Sequence, residues 1–327
     1  MRPSALIAKP LNKTIEVMRY DASLEPEWNR FVADSCNANF LFHRNYLDYH
    51  RDRFQDASAV VFVDGEIKAI FPANSVGKSI HTHQGLTYGG VLYRDSSFLK
   101  IQEWFRAIFE HYRTQGFEAI QYKAIPSIFS PEDRGEERIL LGEIPHTLRT
   151  YVGTYADRLE FRKPSELRRR SLKLASTHHL SIQASQNWKG FWESVLEPSL
   201  WSRFGNRPIH SVAEITLLAG RFPNQIKLFE VCHEGKVVGG TVLYLFPRCA
   251  HTQYICATER GKEVGALDFL FDHLIQSRLS EQRFFSLGTS YDPQTGLLKE
   301  GLLRWKEGFG FRAIPYDVYT FPLGAIR

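Results

Sequence analysis

Two stretches of the chain carry the same succession of apolar patterns. In the first, β-branched and aromatic residues flank Asp64-Gly65, which predicts a hairpin of strands over 58–63 and 67–72. A third strand follows over 79–84. Ile101, Trp104, Phe105, Ile108 and Tyr112 then fall at i, i+3, i+4, i+7 and i+11, the spacing of one helical face, within a helix over 98–115. A strand over 119–124 closes this pattern. In the second, Glu234-Gly235 separates strands over 226–232 and 237–246, and a third strand covers 250–257. Leu267, Leu270, Phe271, Leu274, Ile275 and Leu279 mark the helix, and a strand over 284–287 follows. Antiparallel strands, a crossover helix and a returning strand make an α/β unit with a mixed sheet.

Short matches keep the same order in both stretches, separated by roughly 160–170 residues, which is the mark of an internal repeat. Trp28 and Phe31 answer Trp188 and Phe191. Arg53-Phe54 answers Arg221-Phe222, and His81-Thr82 answers His251-Thr252. The repeat divides the chain into residues 1–150 and 151–327. The charged segment 130–155, with Gly and Pro, reads as the linker.

Bulk properties narrow the class. The 327 residues are 43% hydrophobic and 24% charged, enough apolar material for two cores. A net charge of +5 suits an anionic partner but falls short of a dedicated nucleic-acid binder, and DNA is not expected as a ligand. Cys36, Cys232, Cys249 and Cys256 contain no C-x-x-C pair, so buried thiols in a reducing, cytoplasmic compartment are expected. The start of the chain lacks a signal-peptide apolar stretch, and no run of about 20 apolar residues predicts a membrane span.

Candidate chemistry gathers in the second stretch. Arg260, Gly261, Gly265 and Ala266 lie between a strand and a helix, where glycine amides and a helix N-terminus attract phosphate. Strand alternation places His251 and Gln253 on one face, Thr252 and Tyr254 on the other. An imidazole of near-neutral pKa can act as general base, and a tyrosine hydroxyl can protonate a leaving group. Lys306 precedes Gly308 and can neutralise a phosphate or an oxyanion; the same pattern also reads as a helix C-terminus. The basic run Arg162, Lys163, Arg168, Arg169, Arg170 and Lys173 reads as a solvated helix face or a contact for a phosphate-rich partner. Arg203, Asn206 and His210, just before a Ser211–Glu214 capping box, suit an acceptor-recognition loop; Tyr291 and His83 complete the substrate-contact candidates. His81 and His83 lack a Cys or carboxylate to complete a metal set, so no metal is expected.

The blocks Phe42-His-Arg-Asn-Tyr46-Leu-Asp-Tyr-His50, His83-Gln-Gly-Leu-Thr-Tyr-Gly-Gly90, Ala250-His-Thr-Gln-Tyr-Ile255, Gly265-Ala-Leu-Asp268 and Lys306-Glu-Gly-Phe-Gly310 resemble a bacterial family of FemAB-like GNAT proteins. The resemblance runs from about Glu16 to Tyr319 and implies two GNAT folds side by side. It also implies transfer of an acyl or aminoacyl group to an amine or hydroxyl. In GNAT enzymes the loop before this helix holds the pyrophosphate of acyl-CoA, usually as Gln/Arg-x-x-Gly-x-Gly/Ala; here the spacing departs. The strand bearing His251 lines the acyl channel in that fold.

The expectation is an acyltransferase acting on a sugar or cell-envelope precursor with acyl-CoA as donor substrate and no permanently bound cofactor. Its C-terminal half is catalytic and its N-terminal half silent. The alternatives are a FemAB-type enzyme using aminoacyl-tRNA and a non-catalytic ligand-binding double module.

Overall fold

The computed structural model describes residues 14–132, 134–292 and 295–325. Its strands are β1 (Ile15–Arg19), β2 (Gln55–Asp56), β3 (Ala59–Val63), β4 (Glu66–Phe71), β5 (Asn74–Val76), β6 (Ser79–His81), β7 (Leu92–Tyr93), β8 (Ala119–Lys123), β9 (Thr147–Asp157), β10 (Ser181–Ser185), β11 (Ile226–His233), β12 (Lys236–Leu245), β13 (Cys249–Ala257), β14 (Phe284–Thr289) and β15 (Arg312–Pro322). The longer helices are α1 (Glu25–Asp34), α2 (Phe98–Thr114), α3 (Glu136–Glu143), α4 (Glu166–Ala175), α5 (Glu197–Phe204), α6 (Val212–Arg221), α7 (Glu259–Glu263), α8 (Ala266–Glu281) and α9 (Glu300–Glu307).

The two hairpins form for the same local reason. Asp64 and Gly65, like Glu234 and Gly235, all have φ between 50° and 81°. Two consecutive left-handed residues twist a two-residue turn to match its strands, and glycine takes the second position without strain. Helix α2 buries Ile101, Trp104, Phe105, Ile108, Phe109 and Tyr112, and α8 buries Leu270, Phe271, Leu274, Ile275 and Leu279. These match the predicted stripes, except that Phe109 joins the first and Leu267 of the second is only half-buried.

The repeat is a repeat of topology. β6 and β8 pair in parallel, with α2 as their crossover, through Ser79–Ala119, Ile80–Ile120 and His81–Gln121. β13 and β14 pair in parallel across α8 through Cys249–Phe284, Ala250–Phe285 and His251–Ser286. His81 and His251, matched in the sequence, thus sit at the same place, where each parallel pairing ends.

The copies exchange their closing strands. β9, which follows the first copy, pairs antiparallel with β14 of the second; β15, which ends the second, pairs antiparallel with β8 of the first. β9 and β15 also pair with each other from Arg312–Tyr155 to Thr320–Thr147, joining everything into one sheet of 11 strands beside a second of 4. The segment expected as a linker therefore holds α3 and most of β9. Leu140 and Leu141 anchor α3 in the first core, and β9 pairs with β15 over Thr147–Tyr155 and with β14 over Gly153–Asp157, its polar first residues being exposed.

One hydrophobic cluster spans both copies. Trp28, Phe42 and Phe129 of the first belong to the same cluster as Trp188, Trp192, Phe222 and Tyr244 of the second. The matched arginines reach across this seam in opposite directions. Arg53 bonds Glu214 and the Ile209 carbonyl, while Arg221 donates to the Asn45 carbonyl at 2.7 Å.

Candidate active site

Past His251, β13 and β14 diverge. β13 continues to Ala257 along β12, yet among the described residues no strand pairs with its other edge. The splay opens a cleft of about 690 Å³. Thr252, Gln253 and Ile255 of β13 form one wall, Leu287, Gly288 and Thr289 of β14 the other, and α8 and α9 contribute Leu267, Asp268, Trp305 and Lys306.

Alternation along β13 is broken. Val242 pairs with Tyr254 and Leu243 with Thr252, so Gln253 is the extra residue of a β-bulge. For that reason Thr252 joins His251 and Gln253 at the cleft instead of turning away from it. Tyr254 does turn away. Its hydroxyl lies 2.6 Å from His210 Nδ1 and 3.2 Å from the His210 amide, in the core between the copies. Tyr254 and His210 are therefore partners of each other and not cleft residues. Tyr254→Phe should lower stability by about 1 kcal/mol through the lost buried hydrogen bonds. Urea unfolding would measure that loss, while turnover stays at the wild-type level; a large fall in turnover would return Tyr254 to the site.

Lys306 is 2% exposed and, among the described residues, forms no ion pair. Its Nζ donates to the carbonyls of Gly288 at 3.1 Å and Thr289 at 2.6 Å. Burial pulls its pKa down to about 7, because a cation loses hydration there. His251 is held lower still, at about 3, by burial first and then by the nearby Lys306 charge. The expectation of a near-neutral imidazole base is corrected here: His251 is a neutral ring, hydrogen-bonded through Nδ1 to Ser286 Oγ at 3.2 Å, and a weak base.

The segment expected to cradle phosphate is mostly helix. Within α7 and the turn after it, Gly261, Lys262, Val264 and Gly265 all spend their amides on Thr258, Arg260 or Lys262. Gly261 and Gly265 do line the cleft with Lys262. Arg260 instead pairs with Glu263 at 3.0 Å on the surface, and Ala266 is buried as the first residue of α8. The start of α8 still opens into the cleft through Gly265, Leu267 and Asp268, and a helix N-terminus there favours negative charge.

The remaining expected contacts lie elsewhere. Asn206 is exposed on the loop after α5; Arg203 lies on α5, and its side chain falls outside the described structure. Tyr291 packs edge-on against Tyr151 of β9. His83 is buried against His50 and Phe54. Asp268, Trp305 and Thr87 line the cleft without having been singled out individually. Asp268 and Thr87 sit inside two of the conspicuous sequence blocks, which was the available signal.

The corresponding splay in the first copy is filled. Where the second copy needs only residues 252–255 between His251 and Cys256, the first runs through 82–91 between His81 and Leu92. That insert lies along the β8 edge: Thr82 donates to the Gln121 carbonyl, Gly89 to the Lys123 carbonyl, and Lys123 Nζ to the His83 carbonyl. Its Thr87 reaches the second copy's cleft.

No family model matches the chain, and no curated protein matches it by sequence. Solved structures do. FemX superposes with a TM-score of 0.65 at 12% identity, covering 93% of this chain and 96% of FemX. L-PGS from Bacillus licheniformis gives 0.58 at 13% identity, covering 93% of each chain. The C-terminal domain of a putative lysylphosphatidylglycerol synthetase from Agrobacterium fabrum gives 0.59 at 12% identity, covering 91% and 92%. The chain has this FemAB-like, GNAT-type fold, duplicated in tandem.

Proposed function

We propose that the protein transfers an acyl group from an activated ester to an amine or hydroxyl of a sugar or cell-envelope precursor, using the cleft of the second copy. The observation that carries this is a buried lysine at the splay of two parallel strands, beside an unpaired strand edge. A carbonyl held against β13 meets amides that no strand occupies, and donors aimed at a developing oxyanion are a principal source of acyl-transfer catalysis.

Lys306 handles the proton. In its neutral form both N–H bonds are committed to Gly288 and Thr289, which leaves the lone pair for the cleft. The acceptor nucleophile adds to the carbonyl carbon and gives its proton to Nζ. The tetrahedral oxyanion then re-forms the carbonyl, and the departing thiolate or ribose oxygen takes that proton. A pKa of about 7 suits both directions of transfer. The neutral His251 positions the substrate from the cleft wall. The first copy, whose own splay is filled by 82–91, serves as scaffold and supplies Thr87.

The donor carrier bears phosphate, held by the start of α8 and Lys262, and acyl-CoA is the first reading. Asp268 favours a second, an aminoacyl-tRNA. Its carboxylate sits in the first turn of α8, where a pyrophosphate would lie, and is paired with Arg168 at 2.5 Å. A name among the similar structures, putative lysylphosphatidylglycerol synthetase, also denotes an aminoacylated product.

Thermal unfolding with acetyl-CoA, longer acyl-CoAs, free CoA and an aminoacyl-tRNA separates these readings, since a ligand of the native state raises Tm. A rise of several degrees with an acyl-CoA supports the first, and a rise with aminoacyl-tRNA alone the second. No response to either class, followed by no donor consumption, would overturn the transferase reading.

A further inference from the structure

The face beside the cleft mouth combines cations with uncovered apolar side chains. After β9 the chain passes through Arg158, Leu159, Phe161, Arg162 and Lys163 into α4. The inner face of α4 is spoken for. Arg168 pairs with Asp268, and Ala175 lies against Gly265, both of them cleft residues. Its outer face presents Leu167 and Leu174, 65% and 59% exposed, about two helical turns apart, with Arg170 and Lys173 between them. Leu159, 67% exposed, adds a third uncovered leucine shortly before α4. Glu160 and Glu166 are the acidic residues of this segment. Glu166 is spent on Arg169 and Arg170, and Glu160 on Arg312. Among the described residues Arg162, Lys163 and Lys173 form no ion pair.

Exposed leucines inside a solvated charged face lose free energy, because apolar surface is left in water. A nucleic-acid backbone would use the cations and leave Leu159, Leu167 and Leu174 without a function. A second copy of the chain would bring like charge against like. An anionic bilayer satisfies both components at once, taking arginine and lysine at its headgroups and leucine just below them.

We propose that residues 158–174 dock the protein on an anionic lipid surface, with the cleft mouth facing the bilayer. Among the described residues no helix is long and apolar enough to cross a membrane; the docking proposed is interfacial. It stands apart from the transferase reading, since it requires no turnover. An amphiphilic acceptor held in the bilayer would then meet the cleft at its rim, where Leu302 is 39% exposed.

The test is sedimentation of the full chain with vesicles of phosphatidylcholine, alone or with about one third phosphatidylglycerol. Binding is expected only with phosphatidylglycerol and should weaken with salt. Arg170→Gln with Lys173→Gln should lower the partition coefficient about tenfold or more, at roughly fivefold per cation. Leu167→Ser with Leu174→Ser should lower it by a comparable factor, although it leaves the charge unchanged. All four side chains lie on the outer face, and circular dichroism would verify that the variants remain folded. Absence of binding to phosphatidylglycerol vesicles would overturn the proposal. So would leucine variants that bind as the parent does, or displacement of the protein from vesicles by tRNA with the leucines indifferent, which would mark a nucleic-acid surface.

Discussion

Lys306→Met should abolish turnover and yet stabilise the protein. The fold lowers the lysine pKa from 10.5 to about 7, so the ammonium form is disfavoured by folding. At ~1.4 kcal/mol per pH unit, the displacement corresponds to about 5 kcal/mol of lost stability. That cost is fully present below pH 7, where both folded and unfolded chains are protonated. It fades as pH rises from about 7 towards 10.5, and above that range neither state carries the charge. Methionine fills similar volume without charge, and the gain is partly offset by leaving the Gly288 and Thr289 carbonyls unpaired. A net increase of about 1–3 kcal/mol at pH 6, shrinking by pH 10, is expected in urea unfolding. In the parent, kcat/KM should climb with pH and level off above about 7 as the amine loses its proton. Retained turnover in the variant, or a pH profile flat through 7, would remove Lys306 from the chemistry.

The second large effect belongs to Gly261. A Cβ there would lie 2.0 Å from the Val238 carbonyl oxygen, and that obstacle is backbone. α7 packs directly on β12 at this point, where Thr258 also donates to Val238. Gly261→Ala should therefore destabilise by about 1–3 kcal/mol or more, the usual cost of overpacking. The matching fall in Tm is on the order of 2–4 °C per kcal/mol for a chain of this class. A glycine reserved for close approach of phosphate predicts the reverse: a wild-type Tm with donor affinity lost. Calorimetry of the apo variant decides between the two, because the packing argument requires no ligand.

Much of the architecture was legible in the sequence because its elements bury one clear face. The stripes of α2 and α8 and the left-handed turns at Asp64-Gly65 and Glu234-Gly235 are local properties. The exchange of β9 and β15 is not local. Nothing within Thr147–Asp157 names β14 as its neighbour, and the pairing is selected by the joint packing of both copies. Charge hid α3 and β9 as well, since the polar first residues of β9 are exposed and carry no apolar alternation.

At the site, His251, Gln253, Lys306, Gly261 and Gly265 were all readable as residue types between known elements, and all line the cleft. Tyr254 was drawn in by its neighbours along β13. Its hydroxyl is instead claimed by His210, a residue distant in sequence. Arg260 looked like a phosphate ligand until α7 formed and paired it with Glu263. The low pKa values of His251 and Lys306 are consequences of burial, and no spacing rule contains them. The pseudo-symmetry has a functional consequence too. Residues 82–91 lie along the β8 edge in the first copy, whereas the corresponding place in the second opens into the cleft.

In the mechanism proposed above, the donor enters the splay between β13 and β14. Hydrogen exchange of the full chain, with and without an unreactive amide or thioether analogue of the donor that raises Tm, tests this most directly. Protection is predicted along Thr252–Ala257, over Leu287–Thr289 and at the first turn of α8, with β8 and the 82–91 insert essentially unchanged. Protection confined to the first copy, along Ala119–Lys123 and the insert, would contradict the account.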